Sequence, residues 1–264
     1  MVSRRKSWVR QLAQVARFFG QVTILLFESC GYILRGQVSA KDTIRQMSEI
    51  GVGSILVALI TVGFSGAVAA LYVAAELVRF SQGGLVGGLV GKSLALEITP
   101  VITAIVVSAR SGSAMAAELG SMTVTEQVDA LRTLATPPTQ YLVVPRLVAT
   151  ITMMPIVAVL ANLAGLFGAG LTSAIGGVST TLFWRSFQDY VTVSDEAEGL
   201  IKALIFGAII ALVGCRQGLT TSGGAQGVGR ATTSAVVFTA MAVYVTDFCI
   251  SVIIQDSHHI WGLR

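Results

Sequence analysis

Charged residues are scarce in this sequence. Asp, Glu, Lys and Arg make up 12% of its 264 residues, hydrophobic residues make up 53%, and the mean hydropathy is +0.76. A soluble globular domain carries about 25% charged residues, so the shortage of charge excludes an ordinary soluble domain. Several apolar runs of roughly 20 residues, without the polar–apolar alternation of a membrane β-barrel, predict instead an all-α polytopic membrane protein.

Metal-binding and nucleophilic side chains are also few. The three cysteines, Cys30, Cys215 and Cys249, lack metal-ligand spacing and lie in or beside apolar segments, so we expect buried free thiols. The two histidines, His258 and His259, are adjacent and have no further ligands near them in the sequence. No Ser-His-Asp or Cys-His arrangement can be assembled. We therefore predict no metal, no cofactor and no catalytic residue.

The net charge of +4 comes from basic residues scattered at the ends of apolar segments. This distribution is typical of cytoplasmic membrane loops and predicts no nucleic-acid partner. Residues 7–34 begin as a basic amphipathic segment and end as an apolar one. If they crossed the membrane, the basic clusters at residues 4–10 and 35–45 would lie on opposite sides. An interfacial or re-entrant helix keeps both clusters cytoplasmic and is favoured over a full span.

Five further segments have the length and hydropathy of membrane spans, with a cytoplasmic N-terminus and an extracytoplasmic C-terminus. The repeat of Gly-Gly-Leu-Val within residues 81–92 is either a helix-packing seam or a flexible, partly inserted loop. Residues 172–199 are expected to form the largest outer loop. The predicted spans, within one domain of residues 1–264, are 50–78, 94–119, 141–171, 200–219 and 233–254.

The charged segment 123–135 lies between two of these spans with almost no linker and is followed by Pro137 and Pro138. Thr123 or Thr125 could cap a short helix here. A charged helix held so tightly between two spans is expected to lie across the membrane surface. We expect it to contact a soluble partner.

Glu97 lies in the outer part of the second predicted span. An ionisable group there faces a cavity or a partner, or else anchors the start of the helix just outside the hydrocarbon. Pro100 cannot donate a hydrogen bond to the carbonyl of Leu96, so the backbone around Glu97 is expected to be bent or frayed.

Three other charged residues lie within apolar segments. Asp247 could pair with Arg110, line a cavity or serve a structural hydrogen bond; we favour a structural role. For Arg110 and Glu118, structural pairing is expected rather than catalysis.

The glycine-rich run at residues 220–233 superficially resembles a phosphate-binding loop. Such a loop requires Gly-Lys-Ser/Thr after the glycines, whereas Gly229 is followed by Arg230 and Ala231. We therefore expect a tight cytoplasmic turn and no ATPase site in this chain.

Six further motifs lie within residues 42–247. They are Glu97-x-x-Pro100-Val-x-Thr-Ala, Ala116-Ala-Glu-Leu-Gly120, Val124-Thr-Glu-Gln-Val-Asp-Ala-Leu131, Tyr141-Leu-Val-Val-Pro-Arg146, Gly214-Cys-x-x-Gly218 and Gly224-Ala-x-Gly-Val-Gly-x-Ala-Thr232. Together these motifs resemble the MlaE (YrbE) family of ABC transporter permeases. In that family Gly and then Asp-Pro often follow the surface helix, where this chain has Ala135-Thr-Pro-Pro138.

The resemblance implies a permease that functions as a homodimer with a separate ATP-binding subunit and an MCE-domain protein on the outer side. It implies that phospholipid moves through a cavity between the two copies, in a bacterial inner membrane or a plastid inner envelope. In this chain the substrate cavity would involve Glu97, Thr99 and Pro100. The coupling helix that contacts the ATPase would present Glu126, Gln127, Asp129, Ala130 and Leu131.

Two other classes of protein are kept as alternatives. An intramembrane lipid-modifying enzyme would need polar groups converging at one depth, but Glu97, Arg110, Glu118 and Asp247 are expected at different heights along their helices. A passive channel or scaffold would show no dependence on an ATPase.

Overall fold

The computed structural model describes the backbone of residues 2–261 and the side chains of residues 16–254. Every regular element in this part of the chain is helical. Five segments are long and apolar enough to cross a membrane, which confirms the all-α polytopic class. They are Ala40–Arg79, Gly83–Val124, Thr139–Ser173, Val193–Leu219 and Gly224–Ile254, called here the first to fifth spans.

The helices that build these spans are as follows. The first span contains α2 (Ala40–Met47) and α3 (Gly53–Arg79), after the N-terminal α1 (Val2–Leu34). The second contains α4 (Val86–Ser93), α5 (Thr99–Val107) and α6 (Ser113–Val124), and the short α7 (Gln127–Thr133) follows it. The third is mainly α8 (Val144–Ser173); α9 (Thr180–Tyr190) precedes α10 (Val193–Leu219), and α11 (Gly224–Trp261) ends the order.

The glycine repeat before the second predicted span is helical and forms a packing seam. Gly87 lies against the backbone of Phe183, and Gly91 lies against the ring of Phe187; a Cβ at either glycine would overlap these atoms. Both aromatic residues belong to α9, so the second span starts at residue 83 rather than 94. The flexible-loop alternative is wrong, because small residues allow two helix backbones to touch.

The predicted outer loop at residues 172–199 is largely helical. Ser179 accepts a hydrogen bond from the backbone N–H of Leu182 and so caps α9. Thr192 and Asp195 form a reciprocal capping box that starts α10 seven residues before the predicted fourth span. The acidic residues Asp195, Glu196 and Glu198, which fall within the predicted loop, therefore lie in the first turns of a span.

The glycine-rich turn before the fifth span is shorter than predicted. Gly223 and Gly224 have φ values of 87° and 65°, which favour glycine, and α11 begins at Gly224. Residues 224–233 are therefore the first turns of a helix, about three in number.

Several of the closest helix–helix contacts in the apolar core are made through glycine. In the contact between α3 and α8, Gly66 lies so close to Gly165 that a Cβ would overlap its carbonyl. On α10, Gly207 lies against Thr150 and Gly214 against Gly112 in the same way. Packing of this kind stabilises helices in lipid, where the hydrophobic effect does not drive their association.

The N-terminal helix α1 contacts α8 and α10. Arg216 of α10 donates to Gln21 Oε1 at 2.7 and 3.0 Å and lies over the ring of Phe18, while Thr139 donates to Glu28 at 2.9 Å. Among the described residues α1 is not counted with the segments apolar enough to span. Its interfacial or re-entrant position stays a prediction.

Burial of the cysteines was predicted correctly only for Cys215. Cys30 and Cys249 are exposed at the surface of the protein. In a membrane helix an apolar side chain can face either lipid or protein, so hydropathy alone does not indicate burial. The side chains of His258 and His259 lie outside the described residues.

Candidate functional site

Lys202 is a lysine inside the fourth span with only 2% of its side chain exposed. Its Nζ donates to Glu97 Oε1 at 2.7 Å, to Ser251 Oγ at 2.8 Å and to the carbonyl of Leu96 at 3.0 Å. Asp247 Oδ1 forms an ion pair with it at 2.9 Å. Since a buried ammonium is costly unless it is paired and hydrogen-bonded, these contacts account for its position. We call Glu97, Lys202, Asp247 and Ser251 the outer cluster.

The irregular backbone before Pro100 helps to hold Lys202. Residues 94–98 form a π-helical turn, in agreement with the predicted departure from a regular helix at Glu97. Pro100 has no N–H to donate to Leu96, and the Lys202 ammonium donates to that carbonyl instead. Gly199 lies against the carbonyl of Ala95, where a Cβ would overlap it, so α10 can approach this turn closely.

The outer cluster is not neutral and is not fully enclosed. Two carboxylates share one ammonium, which leaves a formal charge of −1 if all three groups are ionised. The Asp247 side chain is 14% exposed, whereas that of Glu97 is 48% exposed. Glu97 therefore presents a negative charge at the surface of the bundle, beside helices whose exposed residues are mainly apolar. Such a group can accept hydrogen bonds or attract a cationic group of a ligand.

A second set of polar contacts lies beside the outer cluster but is more enclosed. The Thr99 hydroxyl donates to Asn162 Oδ1 at 2.9 Å, and Asn162 Nδ2 donates to both carboxylate oxygens of Glu196 at 3.0 Å. Thr99 and Pro100 are buried here, in the contact between the second, third and fourth spans. Of the residues predicted to line the substrate cavity, only Glu97 has an exposed side chain.

Sequence reasoning missed the partners of Glu97. Neither Lys202, near the start of the predicted fourth span, nor Ser251 in the fifth was singled out. One feature of the sequence could have indicated this partner: Lys202 lies three residues after Gly199 in an otherwise apolar segment. An ionisable residue inside a span usually has a partner within the membrane. Asn162, a lone amide inside the third span, gave a similar signal.

At the cytoplasmic end predicted by the charge distribution, α7 lies directly after the second span. Glu126 has a left-handed backbone (φ 61°) and forms the sharp turn between α6 and α7. Val128 is buried and anchors α7, whereas Asp129 is exposed and paired with Arg132 at 2.7 Å. Of the predicted coupling residues, four are exposed and Leu131 is half-buried; the exposed residues are Glu126, Gln127, Asp129 and Ala130.

Neither predicted threonine caps α7. The Thr123 hydroxyl donates to the carbonyl of Leu119, and the Thr125 hydroxyl donates to that of Ser121. Both therefore bond back into α6, the preceding helix. The turn at Glu126 takes the capping position instead and has no side-chain cap.

The alternative in which Asp247 pairs with Arg110 is wrong, and Asp247 pairs with Lys202 instead. Arg110 donates to the carbonyl of Glu49 at 3.0 Å, and Glu118 pairs with the buried Arg146 at 2.7 Å. Arg110 lies 13 residues after Glu97, which corresponds to about 20 Å along the helix. Asp247 belongs to the outer cluster and lies at the level of Glu97, so it is too far from Arg110 to form a pair. Glu118 does form a structural pair, and its partner, Arg146, belongs to the third span.

Comparison with known proteins gives consistent matches. A family model described as "Permease MlaE" matches residues 43–253. A probable ABC transporter permease protein of Synechocystis sp. is 42% identical over 247 residues, covering 92% of this chain and 90% of the relative. A probable ABC transporter permease protein of Rickettsia felis is 36% identical over 243 residues, covering 92% of this chain and 94% of the relative.

A plant protein is also similar. The chloroplastic protein Trigalactosyldiacylglycerol 1 of Arabidopsis thaliana is 37% identical over 220 residues, which cover 83% of this chain and 63% of the plant protein. The similarity therefore includes most of the present chain but less than two thirds of that relative.

Proposed function

This chain belongs to the MlaE family of permeases, and on that premise we propose that it moves phospholipid through a cavity between two copies of itself. A separate ATP-binding subunit would drive the movement, and an MCE-domain protein would exchange lipid at the outer side. The names of the relatives support an ABC transporter permease, and the name of the Arabidopsis relative contains a galactolipid. The membrane would be a bacterial inner membrane, or a plastid inner envelope as the alternative.

The observation that carries this proposal is a half-exposed charged cluster beside a span with little protein cover. Only 11% of the apolar window of the fifth span is buried, compared with 61% for the fourth. Asp247 and Ser251 of the outer cluster belong to this fifth span. Two copies that met along α11 would bring two half-exposed Glu97 side chains towards one shared space.

One face of α11 has the side chains that such a contact needs. Val237, Tyr244 and Phe248 are all exposed. At about 100° per residue they point within about 20° of one direction. Burial of these large side chains would stabilise a dimer through close packing in lipid. The outer cluster lies on the neighbouring flank of the same helix, so a lipid headgroup in the shared space would meet Glu97.

Movement would enter through α7. This helix is joined to the second span by the turn at Glu126, and the same span contains Glu97 in its other half. Closing of two ATPase subunits would displace α7 and shift the bundle between two arrangements that open and close the lipid space. Two π-helical turns, at residues 94–98 and 108–112, interrupt the second span and give it places to bend.

The first experiment is purification of the tagged chain from its native membrane in mild detergent, with mass spectrometry of protein and lipid. We expect an ATP-binding subunit, an MCE-domain protein and phospholipid to co-purify. The Glu126→Lys/Asp129→Lys variant should lose the ATPase, because it reverses the exposed charge of α7. Glu76→Lys is the matched control, since Glu76 forms an exposed i,i+3 pair with Arg79 like that of Asp129 with Arg132.

The result that would contradict the proposal is equally definite. If the ATPase is absent from the wild-type preparation under several detergents, α7 is not a coupling helix. If the ATPase is retained equally by the charge-reversed variant and the control, the contact lies elsewhere.

One observation bears on the enzyme alternative. Ser251 Oγ lies 2.8 Å from Lys202 Nζ, a distance that a serine nucleophile and lysine base would show. However, Lys202 also contacts two carboxylates, and the Ser251 hydroxyl is placed to donate to Glu97 at 3.0 Å. The pair is therefore arranged as part of an ionic cluster. Lipid turnover by the purified chain without ATP would favour the enzyme, and ATP-independent lipid passage would favour a channel.

A further inference from the structure

A groove that the proposed transport path does not use lies between α1 and α11. Its volume is about 840 Å³. Arg17 of α1 and Arg216 of α10 line it together with apolar residues of α11, among them Phe238, Met241 and Val245. A groove with guanidinium groups and a long apolar wall has the two chemical surfaces of a lipid site.

The two arginines have no anionic partner among the described side chains. No ion pair of either arginine occurs within residues 16–254. Arg216 donates to the neutral amides of Gln21 and Gln217 and lies 4.8 Å above the ring of Phe18. Two positive charges therefore face the groove without neutralisation, and a guanidinium binds phosphate oxygens through paired hydrogen bonds.

The dimensions of the groove fit one leaflet. Its α11 wall extends from Phe238 to Thr246, which is about 12 Å of helix. Half of a hydrocarbon core of about 30 Å is about 15 Å. Arg216 lies three residues before the cytoplasmic end of α10, so the charged end faces the cytoplasm in the orientation predicted from the basic residues.

We propose that this groove binds one anionic phospholipid of the cytoplasmic leaflet. Its phosphate would contact Arg17 and Arg216, and an acyl chain would lie along Phe238, Met241 and Val245. An apolar helix of a second copy would fill the wall but leave both guanidinium groups without an anion. Binding here can be measured without ATP or an ATPase, so the inference stands or fails separately from lipid transport.

The groove is also distinct from the face proposed for a second copy. Phe238, Ala242 and Val245 point about 80–140° around α11 from the direction of Val237, Tyr244 and Phe248, and Met241, at about 40°, lies at the border of the two surfaces. Both surfaces could therefore be occupied at once.

The test uses the full chain in phosphatidylcholine vesicles that contain a minor fraction of phosphatidylglycerol with a diazirine in its acyl chain. After illumination, mass spectrometry should find label on the peptide that contains residues 238–246. Arg17→Gln and Arg216→Gln should each reduce this label about fivefold, the effect of one basic residue near an anionic headgroup. Arg45→Gln removes a basic residue that already pairs with Glu49, and it should leave the label unchanged.

A second variant separates binding from folding, because Arg216 also holds α1 through Gln21. Ala242→Trp fills the apolar wall while both arginines remain. It should abolish the label, and the variant should elute from gel filtration like the wild type.

Three outcomes would overturn the inference. Equal labelling by diazirine-containing phosphatidylcholine would remove the role of the anionic headgroup. Labelling unaffected by both arginine substitutions would place the lipid elsewhere. Covalent dimers formed by p-benzoylphenylalanine at position 242, which points about 140° away from the proposed dimer face, would show that a second copy occupies the groove.

Discussion

The two ends of the helical bundle each contain a buried cation paired with a half-exposed carboxylate, but they join different spans. At the end predicted to be outer, Lys202 of the fourth span contacts the second and fifth spans through Glu97 and Asp247. At the end predicted to be cytoplasmic, Arg146 of the third span contacts the second through Glu118. The ionic contact of the fifth span with the rest of the described bundle is therefore at its outer end.

This difference suggests how the two ends share the work of a permease. The cytoplasmic contacts tie the second span, and with it α7, to the third span. The outer contacts tie the second span to α11, the span with the least protein cover. A displacement of α7 could therefore be passed along the second span to the outer cluster.

The largest expected effect is that of Lys202→Met. It leaves the carboxylates of Glu97 and Asp247 without a cation, and removal of one partner from a buried ion pair costs about 3–5 kcal/mol. We expect a strong decrease in the unfolding temperature in detergent. The control is the triple variant with Glu97→Gln and Asp247→Asn, which should recover most of the stability. An unchanged unfolding temperature for Lys202→Met would show that the cluster is not structural.

The next effect compares two glycines, one beside each end. Gly199→Ala would push a methyl group into the backbone carbonyl of Ala95 and should cost about 1–3 kcal/mol, as overpacking does. Gly53→Ala would meet only the guanidinium of Arg110, a flexible group that can move away. Thermal unfolding should therefore show a larger loss for Gly199→Ala. Equal losses would mean that α10 can shift near the outer cluster.

A smaller effect is expected for Arg146→Met at the cytoplasmic end. The remaining Glu118 side chain is 56% exposed, so water can solvate its charge, and we expect a loss of about 1–2 kcal/mol. Measured side by side, this variant should unfold at a higher temperature than Lys202→Met. The opposite order would reverse the comparison between the two ends.

The smallest effect on stability, below about 1 kcal/mol, is expected for Glu97→Gln, because the amide oxygen can still accept from Lys202. The amount of bound lipid should nevertheless decrease several-fold, because Glu97→Gln removes the exposed negative charge. Glu118→Gln is the matched control: it too changes a half-exposed carboxylate paired with a buried cation. Lipid retained after purification is the measurement, and equal retention by both variants would argue against Glu97 as a lipid contact.

Much of the fold could be predicted from local sequence. The five spans and the short helix after the second span follow from hydropathy and from the position of Pro137 and Pro138. Their ends were less predictable. The sequence of residues 83–93 is equally compatible with a loop and with a helix. The glycines there are needed because α9, from a distant part of the chain, packs directly against them.

The candidate site was predicted only in part. Glu97 and the irregular turn before Pro100 were identified, and a structural role was favoured for Asp247, but Lys202 was not recognised as the partner of either carboxylate. Arg110 and Lys202 were both available as charges inside spans. Which of them meets Asp247 depends on helix rotation and on relative depth, and neither quantity follows from the hydropathy of a single helix.

The sequence by itself determined the number of spans and the position of the short helix α7, because each helix in lipid satisfies its own backbone hydrogen bonds and needs only a local apolar run. Only the tertiary structure decided that Lys202 joins Glu97, Asp247 and the carbonyl freed by Pro100. The physical reason is that a buried charge must find its partners across helix contacts, and glycines such as Gly199 set the distances at which those helices meet.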